Sequence, residues 1–167
     1  VRVPPSAPNL LFMFSGKHLL LLNPWAYDFT ACDFWLRPIG LLYLAAIIRQ
    51  HTDYELHFID CLDSSQIETG YNFRPRNRTD GRSSFFKEEV AKPEIFHHIP
   101  RKFSRYGLPY AQVESRLEKI PTPTAVLITC TLTYWYPGVQ AAVELVRKKF
   151  GSVPIILGGV YATLCPE

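Results

Sequence analysis

The apolar positions of the chain fall into short runs and helix-spaced stripes that alternate along its length. His18 to Leu22 is an apolar run halted at Asn23-Pro24, and its length and proline stop predict a buried strand. Pro38 sits where a first helical turn tolerates it. Leu41, Leu42, Ala45 and Ile48 follow at three- and four-residue spacing, which predicts a helix packed on a sheet. Tyr54 to Asp60 mostly alternates apolar and polar residues, the pattern of a strand with one partly wet face at a sheet edge. Ala125 to Thr129 and Val153 to Leu157 are continuously apolar and partly β-branched, as central parallel strands covered by helices on both faces would be. Between them a helix is predicted from Gly138 to Lys149, with Val139, Val143, Val146 and Phe150 on one stripe and Arg147, Lys148 and Lys149 near its C-terminus.

Strand, helix, strand, excursion, strand, helix, strand implies right-handed crossovers in an α/β fold. The expected architecture is a flavodoxin-like (Rossmann-like) doubly wound parallel sheet with strand order 2-1-3-4, its second strand at the edge. Residues 1–17 are expected to form an N-terminal arm and 18–167 the domain. Residues 62–121 are an excursion too long for a plain loop. Within it Val113, Leu117 and Ile120 have helical spacing and are closed by Pro121 and Pro123, so that helix is expected to complete the second crossover. A full domain of this kind has a fifth strand and a further helix, which are expected beyond residue 167.

Composition narrows the class. Hydrophobic residues are 47% of the chain and charged ones 20%, as in ordinary globular proteins. The apolar stretches fall short of the roughly 20 residues needed to cross a bilayer, and residues 1–17 lack a basic leader with a cleavage site. A cytoplasmic protein without a membrane partner is expected. The four cysteines, Cys32, Cys61, Cys130 and Cys165, are too widely spaced for a zinc knuckle or redox pair and are expected to be buried thiols. The net charge of +3 arises in residues 62–121, which hold 11 Lys/Arg against 8 Asp/Glu; the rest of the chain holds 7 of each.

In open α/β sheets ligands collect beyond the C-terminal ends of the strands, where the strand order reverses. Three segments are expected there: Asn23 to Asp28, Thr129 to Gly138 and Gly158 to Thr163. Paired glycines admit a ligand close to the backbone, and threonine hydroxyls hydrogen-bond amides or phosphates without adding charge. A large, flat ligand with polar edges suits this lining. Taken alone, Gly158-Gly159 is equally a tight turn, and Tyr134-Trp135-Tyr136 equally core at a helix entry.

Several motifs point further. Pro38-Ile39-Gly40-Leu41-Leu42-Tyr43-Leu44-Ala45, Thr133-Tyr134-Trp135-Tyr136-Pro137-Gly138 and Leu157-Gly158-Gly159-Val160-Tyr161-Ala162-Thr163-Leu164-Cys165-Pro166-Glu167 are joined by Lys92-Pro93-Glu94 and Pro100-Arg101-Lys102-Phe103-Ser104-Arg105-Tyr106-Gly107. Together they resemble a radical S-adenosylmethionine subfamily with an N-terminal cobalamin-binding domain. The resemblance implies a cobalamin-binding module whose cofactor contacts are Asn23, Pro24, Tyr27, Thr129, Thr131, Thr133, Tyr134, Gly158, Gly159, Tyr161, Ala162 and Thr163. Thr129-Cys130-Thr131 stands for the Ser/Thr-rich end of the third strand. The 26 residues between Thr131 and Gly158 match the family's spacing to its Gly-Gly pair.

The histidine-bearing D-x-H-x-x-G loop of methionine-synthase-like domains has no counterpart in Asn23 to Thr30, so a cobalt without a protein histidine ligand is expected. The C-x-x-x-C-x-x-C motif is absent from these 167 residues, so no catalytic residue is assigned within them. The 4Fe-4S cluster and S-adenosylmethionine are expected in a C-terminal radical S-adenosylmethionine domain of the same polypeptide, acting on an unknown substrate, with methyl transfer among the activities implied.

Two rival readings use the same fold. A receiver-like phosphoacceptor needs acidic residues after the first and third strands, where Asn23-Pro24 and Thr129-Cys130-Thr131 stand instead. A cofactor-free platform for a substrate or RNA would use Arg74, Arg76, Arg78, Arg82, Arg101, Lys102 and Arg105 with Phe73, Phe85, Phe86, Phe96 and Phe103 to stack bases. The eight accompanying acidic residues weigh against nucleic acid.

Overall fold

The structure, a computed structural model, describes residues 18–34, 37–76 and 78–165. The expected arm 1–17, Asn77 within the basic stretch 74–78, and Pro166-Glu167 lie outside the described residues. In chain order the first half holds β1 (His18–Asn23), β2 (Ala26–Asp28), α1 (Ile39–His51), β3 (Glu55–Asp60) and β4 (Lys87–Glu89). The second half holds β5 (Ser104–Tyr106), α2 (Tyr110–Glu118), β6 (Ala125–Cys130), α3 (Tyr136–Phe150), β7 (Ile155–Gly159) and α4 (Val160–Leu164).

Leu19 to Leu22 are all buried, and a strand apolar on both faces belongs in the middle of a sheet. β1 accordingly pairs in parallel with β3 on one side and β6 on the other, and β7 adds to β6. The order β3-β1-β6-β7 is the expected 2-1-3-4 of a doubly wound α/β sheet. Side chains alternate between faces with period two. Leu20, Leu22, Val126 and Ile128 pack with Val113 and Leu117 of α2 and with Val139, Ala142, Leu145, Val146 and Phe150 of α3. Leu19, Leu21, Ala125 and Leu127 pack with Leu41 of α1 on the opposite face.

That second face is thinly covered. Of the expected α1 stripe, Leu41 is buried and Ala45 and Ile48 are half-buried, but Leu42 is exposed, together with Tyr43, Leu44 and Ile47. α1 is the one described helix packed there, and an apolar groove of about 310 Å³ runs between Leu44, Ile47 and Ile48 and the sheet residues Leu19, Leu127 and Ile156. β7 is therefore not the doubly covered central strand its apolar run predicted. It begins at Ile155, pairs only with β6 among the described strands, and leaves Ile156 and Leu157 exposed. Its apolar composition is real; the second neighbour and the covering helix are what the described residues do not supply.

The excursion is more ordered than its irregular composition suggested. β2, β5 and β4 form a small antiparallel sheet in which Tyr27 faces Arg105 and Glu88 faces the same arginine from the other side. The stretch after β1 is thus partly a strand rather than the free loop expected from Asn23 to Thr30. α2 lies where the Val113, Leu117 and Ile120 spacing placed a helix, and its Val113 and Leu117 close the core of the second crossover. No described helix is long and apolar enough to cross a membrane.

Candidate functional site

The C-terminal ends of the sheet strands divide into a roofed half and an open half. Over β1 and β3 the chain seals itself. The Asn23 side-chain amide donates to the Asp60 carboxylate at 2.7 Å, and the Leu62 N–H donates to the same oxygen at 3.0 Å. Burial raises the Asp60 carboxyl above its ordinary range, against the lowering effect of these two hydrogen bonds and of Arg37. The excursion then lies across the strand ends: the Leu108 N–H donates to the Cys61 carbonyl at 2.6 Å, and the Trp25 indole N–H donates to the Leu108 carbonyl at 2.6 Å. Gly107, with φ of 126°, permits this approach, because a Cβ there would stand 2.2 Å from the Cys61 carbonyl oxygen.

A cation is packed into the roof. The Arg105 guanidinium lies 5.6 Å from the Trp25 ring and 4.8 Å from the Tyr110 ring. It donates to Glu88 at 2.6 Å and to the Tyr27 hydroxyl at 3.4 Å. Asn23, Pro24 and Tyr27, expected as ligand contacts, are consequently engaged in this roof: the first two are buried, and Tyr27 is half-buried between Arg105 and Phe103.

Over β6 and β7 no described residue roofs the edge. Gly159 has φ of 91°, and a Cβ on it would lie 2.6 Å from the Cys130 carbonyl oxygen and 2.9 Å from the Thr129 hydroxyl. Only glycine fits, and the backbone there is bare. Thr163 donates to the Gly159 carbonyl at 3.0 Å, and the Tyr161 ring stacks on Tyr136 with centroids 6.1 Å apart. Tyr134 projects into solvent at the turn spanning 133–135, edge-on to the buried Trp135, whose indole N–H donates to Asp28 at 3.3 Å.

The structure thus gathers Thr129, Gly158, Gly159, Tyr161 and Thr163 around the β6 and β7 ends. Thr131 is exposed beyond the end of β6, Thr133 opens the 133–135 turn, and Ala162 is half-buried in α4. What this edge offers is hydroxyls, bare backbone and aromatic rims, which suit hydrogen bonding and stacking to a flat ligand rather than proton transfer.

The five histidines lie elsewhere. His18 and His57 meet each other at 3.2 Å, and His51 lines the apolar groove. His97 reaches the Lys92 carbonyl at 3.0 Å within the excursion, beside His98. Of the thiols, Cys61 and Cys130 are buried, and burial raises both above the ordinary range. Cys32 is half-buried and Cys165 exposed, so the expectation of four buried thiols holds for two.

Two features of the excursion escaped the sequence. Its phenylalanines mostly face one another: Phe85 and Phe103 are buried, Phe96 packs on Phe103, and Phe73 packs edge-on to Phe86. A cleft of about 510 Å³ beside the small sheet is lined by Phe29, Lys87, Glu89, Arg101, Lys102 and Tyr106, among others, drawn from segments no local pattern connects. Searches of family models, curated proteins and solved structures return no match to this chain.

Proposed function

We propose that the chain is a cobalamin-binding module of a radical S-adenosylmethionine protein, which holds its cofactor over the C-terminal ends of β6 and β7. The observation that carries this reading is Gly159, an exposed residue at the β7 end whose left-handed backbone packs directly against Thr129 and Cys130. The motif resemblance supplies the identity of the ligand. Cobalamin, when bound, would supply a cobalt centre suited to methyl transfer or electron transfer.

The chain's own residues orient and enclose. Thr129 and Thr131 would hydrogen-bond the amide fringe of the ligand, Gly158 and Gly159 would let its nucleotide tail lie along the backbone, and the Tyr134 and Tyr161 rings would bound it. The roof over β1 and β3 directs approach from the β6 and β7 side. With Asn23 to Thr30 lacking a histidine, the cobalt would be held without a protein histidine ligand. The iron–sulfur cluster, S-adenosylmethionine, substrate and cytoplasmic setting belong to the same proposal, through a C-terminal domain of the same polypeptide.

Hydroxocobalamin titration tests it, read by visible spectrum and by cobalt retained after gel filtration. Retention of one equivalent, without the spectrum of histidine-ligated cobalt and reduced in Thr131→Val and Gly159→Ala, is the expected result. No retention by this chain or by a longer polypeptide containing it would overturn the reading. The cleft with Lys87, Arg101 and Lys102 favours the second reading, a cofactor-free platform for an anionic substrate or RNA.

A further inference from the structure

At the opposite, N-terminal end of the sheet, the parallel register of β1 and β3 sets His18 against Glu55 and Leu20 against His57. His18, Glu55 and His57 therefore fall on one face. Their donor atoms converge: His18 Nδ1 is 3.2 Å from His57 Nε2 and 3.4 Å from Glu55 Oε2, and His57 Nε2 is 3.8 Å from Glu55 Oε1. One ligand atom from each lies within 4.8 Å of the others. We propose that these three side chains bind a divalent transition metal of borderline softness, Zn²⁺ foremost, with a fourth position open to water.

The spacing carries the proposal. A tetrahedral zinc ion with bonds of about 2.0 to 2.1 Å separates its ligand atoms by about 3.3 to 3.4 Å. The two imidazole nitrogens already stand close to that separation, as Glu55 Oε2 does from His18, while the other carboxylate oxygen is 3.8 Å from His57. Two imidazoles and one carboxylate also form a donor set that zinc takes in sites with an open position. The imidazoles are held, with side-chain exposures of 30% for His18 and 19% for His57, while Glu55 at 65% can swing to close the set. Thr124, whose N–H donates to the His18 carbonyl, precedes the Leu19 and Ala125 pair and so shares the face of His18. Its hydroxyl is buried without a hydrogen-bond partner among the described residues, a spare polar group on the same face as the cluster.

The competing account is a plain hydrogen bond between the two imidazoles with Glu55 accepting from one of them. Both accounts fit the distances, and they differ in what the protein does with metal. A bound ion would join the edge strand β3 to the central strand β1, and metal that binds only the folded chain stabilises it by mass action. The site is at the far end of the sheet from the proposed cobalamin edge, so either proposal can fail alone.

The test is calorimetric titration of the tag-free, EDTA-stripped chain with ZnCl₂, with Co²⁺ as a visible probe of four-coordinate geometry. One equivalent is expected to bind and raise the melting temperature. His18→Ala and His57→Ala are expected to weaken binding by more than the 10- to 100-fold that loss of an outer-shell partner typically costs. Glu55→Gln, at an exposed position, keeps the fold intact and should weaken binding too, whereas His51→Ala and Cys165→Ser should leave it unchanged. Absence of binding by the native chain, or affinity unaltered in Glu55→Gln and both histidine variants with native circular dichroism, would overturn the proposal.

Discussion

The indole N–H of Trp25 donates to the carbonyl of Leu108 at 2.6 Å, joining the end of the first strand to a segment 83 residues away. Trp25 is fully buried, stacked on Tyr110 and lying under the Arg105 cation. Through it the excursion becomes part of the domain rather than an ornament on it.

Trp25→Phe keeps most of the packing but strands a buried carbonyl, and should lower stability by about 1 to 3 kcal/mol. Trp25→Ala should lower it by about 3 to 5 kcal/mol. Urea unfolding of both variants measures this; a Trp25→Phe midpoint equal to the native one would show that the hydrogen bond contributes nothing.

Two helical glycines should respond oppositely to alanine. A Cβ at Gly138 would stand 1.8 Å from the Trp25 carbonyl oxygen, so α3 would have to move off the β1 end, at a cost of about 3 kcal/mol. A Cβ at Gly40 meets nothing within 4 Å among the described residues, and Gly40→Ala should stabilise α1 by about 0.5 to 1 kcal/mol. Thermal unfolding of the pair side by side checks the signs.

Asp60 makes stability depend on pH in a stated direction. Burial raises its carboxyl above the ordinary 3.8, so the folded chain holds this proton more tightly than the unfolded one. The contribution is fully present below the unfolded value and is lost as pH rises through the folded one. Asp60→Asn does not titrate. The stability of Asp60→Asn relative to the native chain should therefore increase from pH 3.8 upward and then level off. Denaturant titrations at several pH values measure it, and a stability of Asp60→Asn that falls relative to the native chain as pH rises would contradict the burial argument.

On α1, Tyr43 is 70% exposed, and Tyr43→Lys should change stability by no more than about 0.5 kcal/mol. Ile47→Lys, placed in the apolar groove, should lower the binding of a hydrophobic dye by the chain. Equal dye fluorescence before and after that change would mean the groove is not the surface the dye sees.

The parallel sheet was legible because its strands are five or six residues long, with apolar runs in β1, β6 and β7 and a mostly alternating pattern in β3. β2, β4 and β5 were not, since three residues each give no periodicity to read. The glycine pair at the end of β7 was legible as a strand-end feature, and the φ of Gly159 supplies the reason glycine stands there. Asn23 looked like an exposed loop residue because its partner Asp60 and the Leu108 roof are brought over it only by tertiary structure. The His18, Glu55 and His57 set was missed for the same cause: two strands must pair before the three donors meet.

The small sheet also changes the order in which the chain can assemble. β1 and β6 are neighbours in space but lie about 100 residues apart in sequence, and closing so long a loop is slow and entropically unfavourable. Pairing of Ala26 with Tyr106 brings the start of the second half beside β1 and leaves only the stretch from Tyr106 to Ala125 still to be closed. Shortening the open loop about fivefold lowers that later closure cost by about 1.4 kcal/mol. The small sheet thus takes over the long closure, that of the roughly 80 residues between Ala26 and Tyr106, from the β1 and β6 pair, and substitutions that loosen it, such as Arg105→Ala, are expected to slow refolding more than they hasten unfolding.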